Sequence, residues 1–435
     1  MRRAPLLVLA SAAALACWSV DAATQGLPAA QAPGQTDASD RGQAPSHDGT
    51  APPAAEQSEK ATPAVDLAVV YTAELWRNQQ GGLRRGWRYL DNLDLTLTVD
   101  AERALGWHGA TLFVYGLYNN GHAFSGDLVG DAQTVSNIET GVRAARLYEA
   151  WIEQRFAGDR GSVKVGLYDL NSEFDTSDVG SLSLLSSHGI GPEFGQSGRN
   201  GPSIFPVTSL AVRGEYKLSG HWVLRAAALD GVPGDPEHPG RTAIKLSGRD
   251  GALLVGEVNY VGRDSKVALG YWRYTARFPT FAPDAITGSD REARGNDGVY
   301  LVAEHRLTHV GAHDDADDKR GLSAFAQAGF ADGQFNRIDN YVGAGLVYTG
   351  VLRPKGEDRA GITLARAAFA RPYRRRVAAE GTPSNRAESV IQLTYRTPLN
   401  RWLTVQPDLQ YVTNPGGAPA VKDALALGLR VELGF

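Results

Sequence analysis

From Val65 to Phe435 the chain is a series of short stretches in which apolar and polar residues take turns. The last of them is the cleanest. Leu425, Leu427, Leu429, Val431, Leu433 and Phe435 are apolar, and the positions between them are small or charged. Successive side chains of a strand point to opposite faces, so such a stretch has one apolar face and one polar face. Sixteen segments of this kind can be marked off: 65–76, 90–103, 107–118, 146–156, 161–170, 206–217, 222–230, 252–261, 265–277, 298–307, 322–331, 337–348, 361–370, 388–397, 402–413 and 424–435. Most are close to the ~9–11 residues of a tilted membrane-spanning strand. An apolar face towards lipid and a polar face towards a water-filled lumen is the pattern of a transmembrane barrel.

The connections alternate as well. Those after even-numbered segments are short (104–106, 157–160, 218–221, 262–264 and 398–401). Those after odd-numbered segments are long (77–89, 119–145, 171–205, 231–251 and 278–297). Short periplasmic turns and long external loops are the asymmetry of such barrels. Two connections break the rule: 308–321 is long on the turn side and 335–336 is short on the loop side. An even strand count puts both termini in the periplasm. The fold expected is therefore all-β: a 16-stranded antiparallel transmembrane β-barrel of the outer membrane, over residues 64–435.

What precedes the barrel fits export. Arg2 and Arg3, an apolar stretch over 6–16 and the small residues around Ala22 make a signal peptide, residues 1–22, too short to span a membrane as a helix. Residues 23–63 are Ala, Pro, Gln, Ser and Asp with almost no large apolar side chain, which predicts a disordered periplasmic linker. Cys17 is the only cysteine, so cleavage leaves no thiol chemistry. A net charge of −4 on 435 residues, with no basic stripe, argues against nucleic acid as a partner. The basic residues are 36 arginines against 8 lysines, which genome composition or pore function explains equally well.

Parity assigns the faces. In the second segment Leu93, Leu95, Leu97 and Val99 point to lipid, and Asn92, Asp94, Thr96, Thr98 and Asp100 to the lumen. The lumen would also receive Glu149, Trp151, Glu153 and Arg155 from the fourth segment and Lys164 from the fifth. Later segments would add Arg213, Glu215, Arg225, Arg273, Glu304 and Arg306. Arg366, Arg396, Gln406, Asp408, Gln410 and Arg430 would complete the wall. Each wall arginine is either a structural ion pair or a solute contact, and Trp151 is a surface on which a sugar ring could stack. Trp76, Trp222, Trp272, Trp402, Tyr348, Tyr395, Tyr411 and Phe435 are expected in the interfacial girdles.

The connection 171–205 stands apart. It is rich in Gly, Ser and Pro, yet carries Leu182, Leu184, Leu185, Ile190 and Phe194. A loop this long with its own apolar residues is usually packed and functional. Asn171, Glu173, Asp175 and Asp178 on it either face the solute, opposite wall arginines, or brace the loop against the wall.

This segment resembles the carbohydrate-selective porins of Gram-negative bacteria, the OprB-like family. The resemblance is carried by Asn171-Ser172-Glu173-Phe174-Asp175, Ser187-His188-Gly189-Ile190-Gly191-Pro192 and Asn200-Gly201-Pro202-Ser203, with 146–154 before and 206–216 after. It extends more loosely over 65–435 and is lost in the external loops, especially around 371–380. It implies an inward-folded constriction loop after the fifth strand and passive diffusion of mono- or small oligosaccharides through an arginine-bearing pore, with no cofactor and no covalent chemistry. The alternative is a general or organic-acid-selective diffusion porin. The expected partners are outer-membrane lipid, small neutral sugars, the barrel-assembly machinery through the strand ending in Phe435, and two further copies in a homotrimer.

Other constellations carry less. The acidic run Asp314, Asp315, Asp317 and Asp318 lacks the central glycine and final glutamate of a calcium loop. His305 and His309 straddle a strand end, where their spacing does not converge on a metal. Ser186, Ser187 and His188 are contiguous, unlike the members of a catalytic triad.

Overall fold

The computed structural model describes residues 63–281, 291–310, 320–353 and 358–435. Sixteen strands form one closed antiparallel barrel. They are β1 (Val65–Gly82), β2 (Gly86–Asp100), β3 (Ala110–Asn119), β4 (Ala144–Phe156), β5 (Gly161–Tyr168), β6 (Ser209–Lys217), β7 (Trp222–Asp230), β8 (Ala252–Val261) and β9 (Ser265–Tyr274), then β12 (Asp297–Arg306), β13 (Gly321–Ala331), β14 (Ile338–Thr349), β15 (Arg359–Phe369), β16 (Ala387–Asn400), β17 (Leu403–Thr413) and β18 (Lys422–Gly434). A two-residue ribbon, β10 (Phe278–Pro279) with β11 (Glu292–Ala293), lies in the connection after β9. Each strand pairs with its neighbour in the chain, and β1 closes on β18 with Glu74 opposite Arg430 and Trp76 opposite Gly428.

All sixteen alternating segments are strands of this barrel. The outward face is apolar and exposed, as at Leu95, Val165, Val212, Leu269, Ile362 and Leu429. The inward face holds Thr72, Glu74, Asn92, Asp94 and Thr96, all buried. Trp222, Trp402, Tyr348 and Tyr411 are exposed on the outside near strand ends, where an amphipathic ring suits the headgroup layer.

Three expectations are corrected. The connection 77–89 is not a long loop: β1 and β2 run on as a hairpin, with Arg77 opposite Trp87 and its guanidinium 4.9 Å from that ring. Above the lipid band the ladder persists without an apolar face to announce it. The stretch 101–105 leaves the strand for one helical turn, because the Asp100 carboxylate accepts from Arg103 N at 3.1 Å and Gly106 ends the turn at φ 72°. Finally, Trp76 and Trp272 are not girdle residues. Both are 0% exposed and point inward. Each lies over a glycine of the next strand, Gly428 and Gly298, where a Cβ would come within 2.5 Å of the ring. The acidic run at 314–318 lies outside the described residues.

Candidate functional site

The connection between β5 and β6 folds into the barrel. Asp169 starts it, its carboxylate accepting from Asn171 N at 2.8 Å, and Asn171 Nδ2 then donates to Phe174 O and Gly189 O, both at 3.0 Å. Leu170, Phe174, Leu182, Leu184, Leu185 and Phe194 are all buried. Phe194 stacks on Trp272 with ring centroids 4.8 Å apart and 6° between planes. Side chains of the loop and of the wall form one buried apolar cluster there.

A charged clamp ties the loop down. Glu173 accepts from Arg213 Nε at 2.6 Å and Nη2 at 2.8 Å, from Lys164 Nζ at 2.8 Å and from Tyr168 OH at 2.6 Å. Arg213, 2% exposed, also donates to Ser162 Oγ and Glu153 Oε1. Arg225 donates to the Glu173 carbonyl at 3.1 Å and to Glu215 at 2.7 Å. Burial alone would raise the Glu173 carboxyl, but Lys164, Arg213 and Arg225 outweigh it and hold the group well below the usual carboxylate range. Asp175 is buried against β8, its amide donating to Glu257 at 2.9 Å. Asp178 lies 3.6 Å from Lys266 Nζ.

A second loop, which the sequence reading passed over, also turns inward. Residues 120–143 join β3 to β4 and carry the buried Phe124, Leu128, Val129 and Val135. Phe124 stacks on Trp76 at 5.5 Å. Glu388 of β16 accepts from Ala132 N at 2.7 Å and from Gln133 N at 3.0 Å, and Ser136 Oγ donates to Glu74 at 2.6 Å. The two loops also bond each other: Asn137 N donates to Leu184 O at 2.8 Å, and Ser186 N to Thr134 O at 3.0 Å. The signal was present, since Leu128, Val129, Val135 and Ile138 are the same kind of loop apolar residues that marked 171–205.

Between the loops and the wall of β1–β4 and β16–β18 runs a cavity of about 690 Å³. Its wall carries acids on one side and arginine–carboxylate pairs on the other. Asp94, Glu149 and Asp169 lie on one, with Tyr115 OH donating to Asp94 at 2.5 Å and Tyr148 OH to Asp169 at 2.6 Å. Arg396 and Arg430 lie on the other, bonded to Glu432 and Glu74, each at 2.6 Å. Asn137, Ser172, Ser183 and Ser186 complete the lining with hydroxyls and an amide. Such a surface offers many directed donors and acceptors.

The structure sorts the sequence-predicted residues into three groups. Asn171, Glu149, Trp151, Arg396 and Arg430 line the cavity. Trp151 offers no open ring face, because Phe113 stacks on it at 4.9 Å and Lys164 Nζ stands 4.0 Å from its centroid. Glu173, Asp175 and Asp178 do not reach the cavity, nor do Glu153, Arg213 and Arg225. Apart from Asp178, which lies beside Lys266, they face one another or β8 between loop and wall, where low dielectric rewards pairing. Arg273 and Arg366 correct the parity outright, because both point outwards. Arg273 follows Val267, Leu269 and Tyr271 on the outer face of β9 and lies 3.9 Å from Asp297. Arg366 follows Ile362 and Leu364 on β15 and donates to Ser389 Oγ at 3.0 Å. Replacing either by alanine is expected to leave conductance and solute block unchanged. Arg430→Ala is expected to shift the pore towards cations, which reversal potentials across a salt gradient will read.

Comparison with known proteins agrees with this architecture. Residues 84–435 match the family described as "Carbohydrate-selective porin, OprB family". The chain is 28% identical over 406 residues to "Porin B" of Pseudomonas aeruginosa, covering 85% of this chain and 87% of that one. It is 20% identical over 372 residues to "Putative porin QuiX" of Acinetobacter baylyi, covering 79% and 82%. Among solved structures, OprB of Pseudomonas putida at high pH superimposes with a TM-score of 0.75 at 25% identity, covering 86% of this chain and 94% of that one.

Proposed function

Because the chain belongs to the OprB family of carbohydrate-selective porins, we infer that it is a passive outer-membrane channel for the diffusion of small neutral sugars. The observation that carries the sugar reading is the cavity wall, where carboxylates braced by tyrosines face arginines that already hold carboxylate partners. A polyol exchanges its water shell for hydroxyls, amides and braced charges at little electrostatic cost. A small anion would need an unpaired guanidinium; Arg396 and Arg430 are both paired, and Arg401 lies exposed in the turn between β16 and β17 at the edge of the cavity. Binding in such a passage is weak enough to let the solute leave.

Within this reading Asn171, Glu149, Arg396 and Arg430 contact the solute, while Glu173, Arg213 and Arg225 set the width of the passage by holding the loop. Residues 1–22 are the export signal and 23–63 a periplasmic linker to the barrel of 64–435. Both termini lie on the short-turn side, hence in the periplasm, and the strand ending at Phe435 hands the chain to the assembly machinery. The test is planar-bilayer conductance of the refolded protein, titrated with glucose, a disaccharide and a small carboxylate. Block by millimolar sugar and not by the carboxylate is expected. Conductance indifferent to sugar but blocked by the carboxylate would assign the channel to organic acids.

A further inference from the structure

Behind the constriction loop, on the side away from the cavity, lies a carboxyl group with no side-chain partner among the described residues. Glu193 belongs to the short helix Pro192–Gly195 and is 1% exposed; among the described residues no other side chain bonds its carboxylate, which only the amides of its own turn, Glu193 N and Phe194 N, approach. It rests on two glycines. A Cβ on Gly329 of β13 would lie 1.7 Å from Oε1, and one on Gly191 would lie 2.4 Å from Oε2. Pro192 and Gly195, on the same turn, line the cavity. One face of this turn is thus pore surface, and the other carries a carboxyl pressed into the wall.

Among the described residues no cation answers it. From its own loop it meets Asp175, and from β14 Tyr341, whose hydroxyl also bonds His188. Beyond Asp175 stand Glu257 of β8 and Tyr300 of β12, bonded to each other at 2.7 Å. The β13 strand brings Gln327 and no charge. Arg225 is directed at Glu215 and Glu257, and Lys266 at Thr176 and Asp178. Burial pushes His188 down to about 4, so it is neutral at ordinary pH. Among the described residues no third carboxylate or histidine gathers with Glu193 and Asp175 to hold a metal ion. An ionised carboxylate here would be desolvated and without a counter-ion, two conditions that favour the neutral form.

We propose that Glu193 is a proton-held latch: the constriction loop is seated when this carboxyl is protonated, and its ionisation loosens the seat and widens the pore. The proposal rests on reading the cavity as the conducting path. Burial pushes the seated group up to about 8, whereas a carboxyl released to water ionises near ~4.3. The group is an acid with a raised value when seated, so its contribution to seating is full below ~4.3 and is lost as pH rises to about 8. Across that window each pH unit multiplies the ratio of unseated to seated loop about tenfold, and above it the ratio is flat.

Single-channel recordings of the full-length refolded protein between pH 5 and 9 test this, using wild type, Glu193→Gln and Asp175→Asn. In wild type, excursions to a larger conductance should become more frequent up to about pH 8 and then level off. Glu193→Gln, which keeps the shape without the proton, should stay at the wild-type pH 5 level throughout. Asp175→Asn removes the neighbouring acid and should leave the plateau near pH 8, because burial and not Asp175 raises Glu193. Glucose block at pH 6 should be the same in wild type and Glu193→Gln, and its absence from both would count against the sugar channel rather than the latch. A wild-type trace flat from pH 5 to 9, a Glu193→Gln channel that keeps the wild-type profile, or excursions that follow addition of a chelator instead of pH would overturn the proposal.

Discussion

Glu173→Gln is expected to raise single-channel conductance and to abolish sugar block while leaving the barrel folded. The carboxylate collects two bonds from Arg213, one from Lys164 and one from Tyr168, in a place that water barely reaches. Removing one member of a buried ionic network costs about 3–5 kcal/mol, because the remaining charges stay desolvated without their counter-ion. Here Lys164 and Arg213 would share Glu153 as their remaining acid. The strand ladder does not depend on the clamp, so the loss falls on the seating of the loop. Recording wild type and variant under identical salt, with and without glucose, decides it. Unchanged conductance would mean that the apolar side chains of the loop hold it without the clamp.

Glu388→Ala should loosen the other jaw. This carboxylate accepts from Ala132 N, Gln133 N, Gln133 Nε2 and Gly416 N, and it is fully buried. Hydrogen bonds to a charged group contribute about 1.5–3 kcal/mol each and do not add, so a loss of a few kcal/mol is expected. Ser136 on Glu74, Gln410 on the Val135 carbonyl and Arg430 on Asn137 still tether the middle of the 120–143 loop. The result should be a noisier and moderately larger conductance, smaller in effect than the Glu173 change. Current-noise spectra of the two variants side by side will rank them.

The barrel was legible because lipid on one side and water on the other impose a two-residue period that no soluble core keeps for sixteen strands. Legibility fails where one of the two solvents is missing. Above the lipid band the β1–β2 hairpin has no apolar face, so Arg77 and Trp87 read as loop. On the packed side the lumen is not wet. Trp272 points inward to meet Phe194, and Arg273 is thereby turned out. Assigning tryptophan to lipid and arginine to water, sound on average, fails at that contact. Among candidate site residues, the sequence could identify the loop and its carboxylates. Whether Glu173 faces solute or wall depends on Arg213 forty positions later, and no local pattern encodes that pairing.

The seam between β1 and β18 has a bearing on how the molecule is assembled. Glu74 and Arg430 meet across 356 positions of chain, and Trp76 settles on Gly428 in the same register. Contacts of such sequence separation form last, after the intervening hairpins have zipped. Until then the acid and the guanidinium lack each other, and the indole has Phe124 on one side but no strand on the other. Ring closure and the completion of the pore wall are therefore a single event, and a chain halted before it would hold a finished sheet but only half a channel.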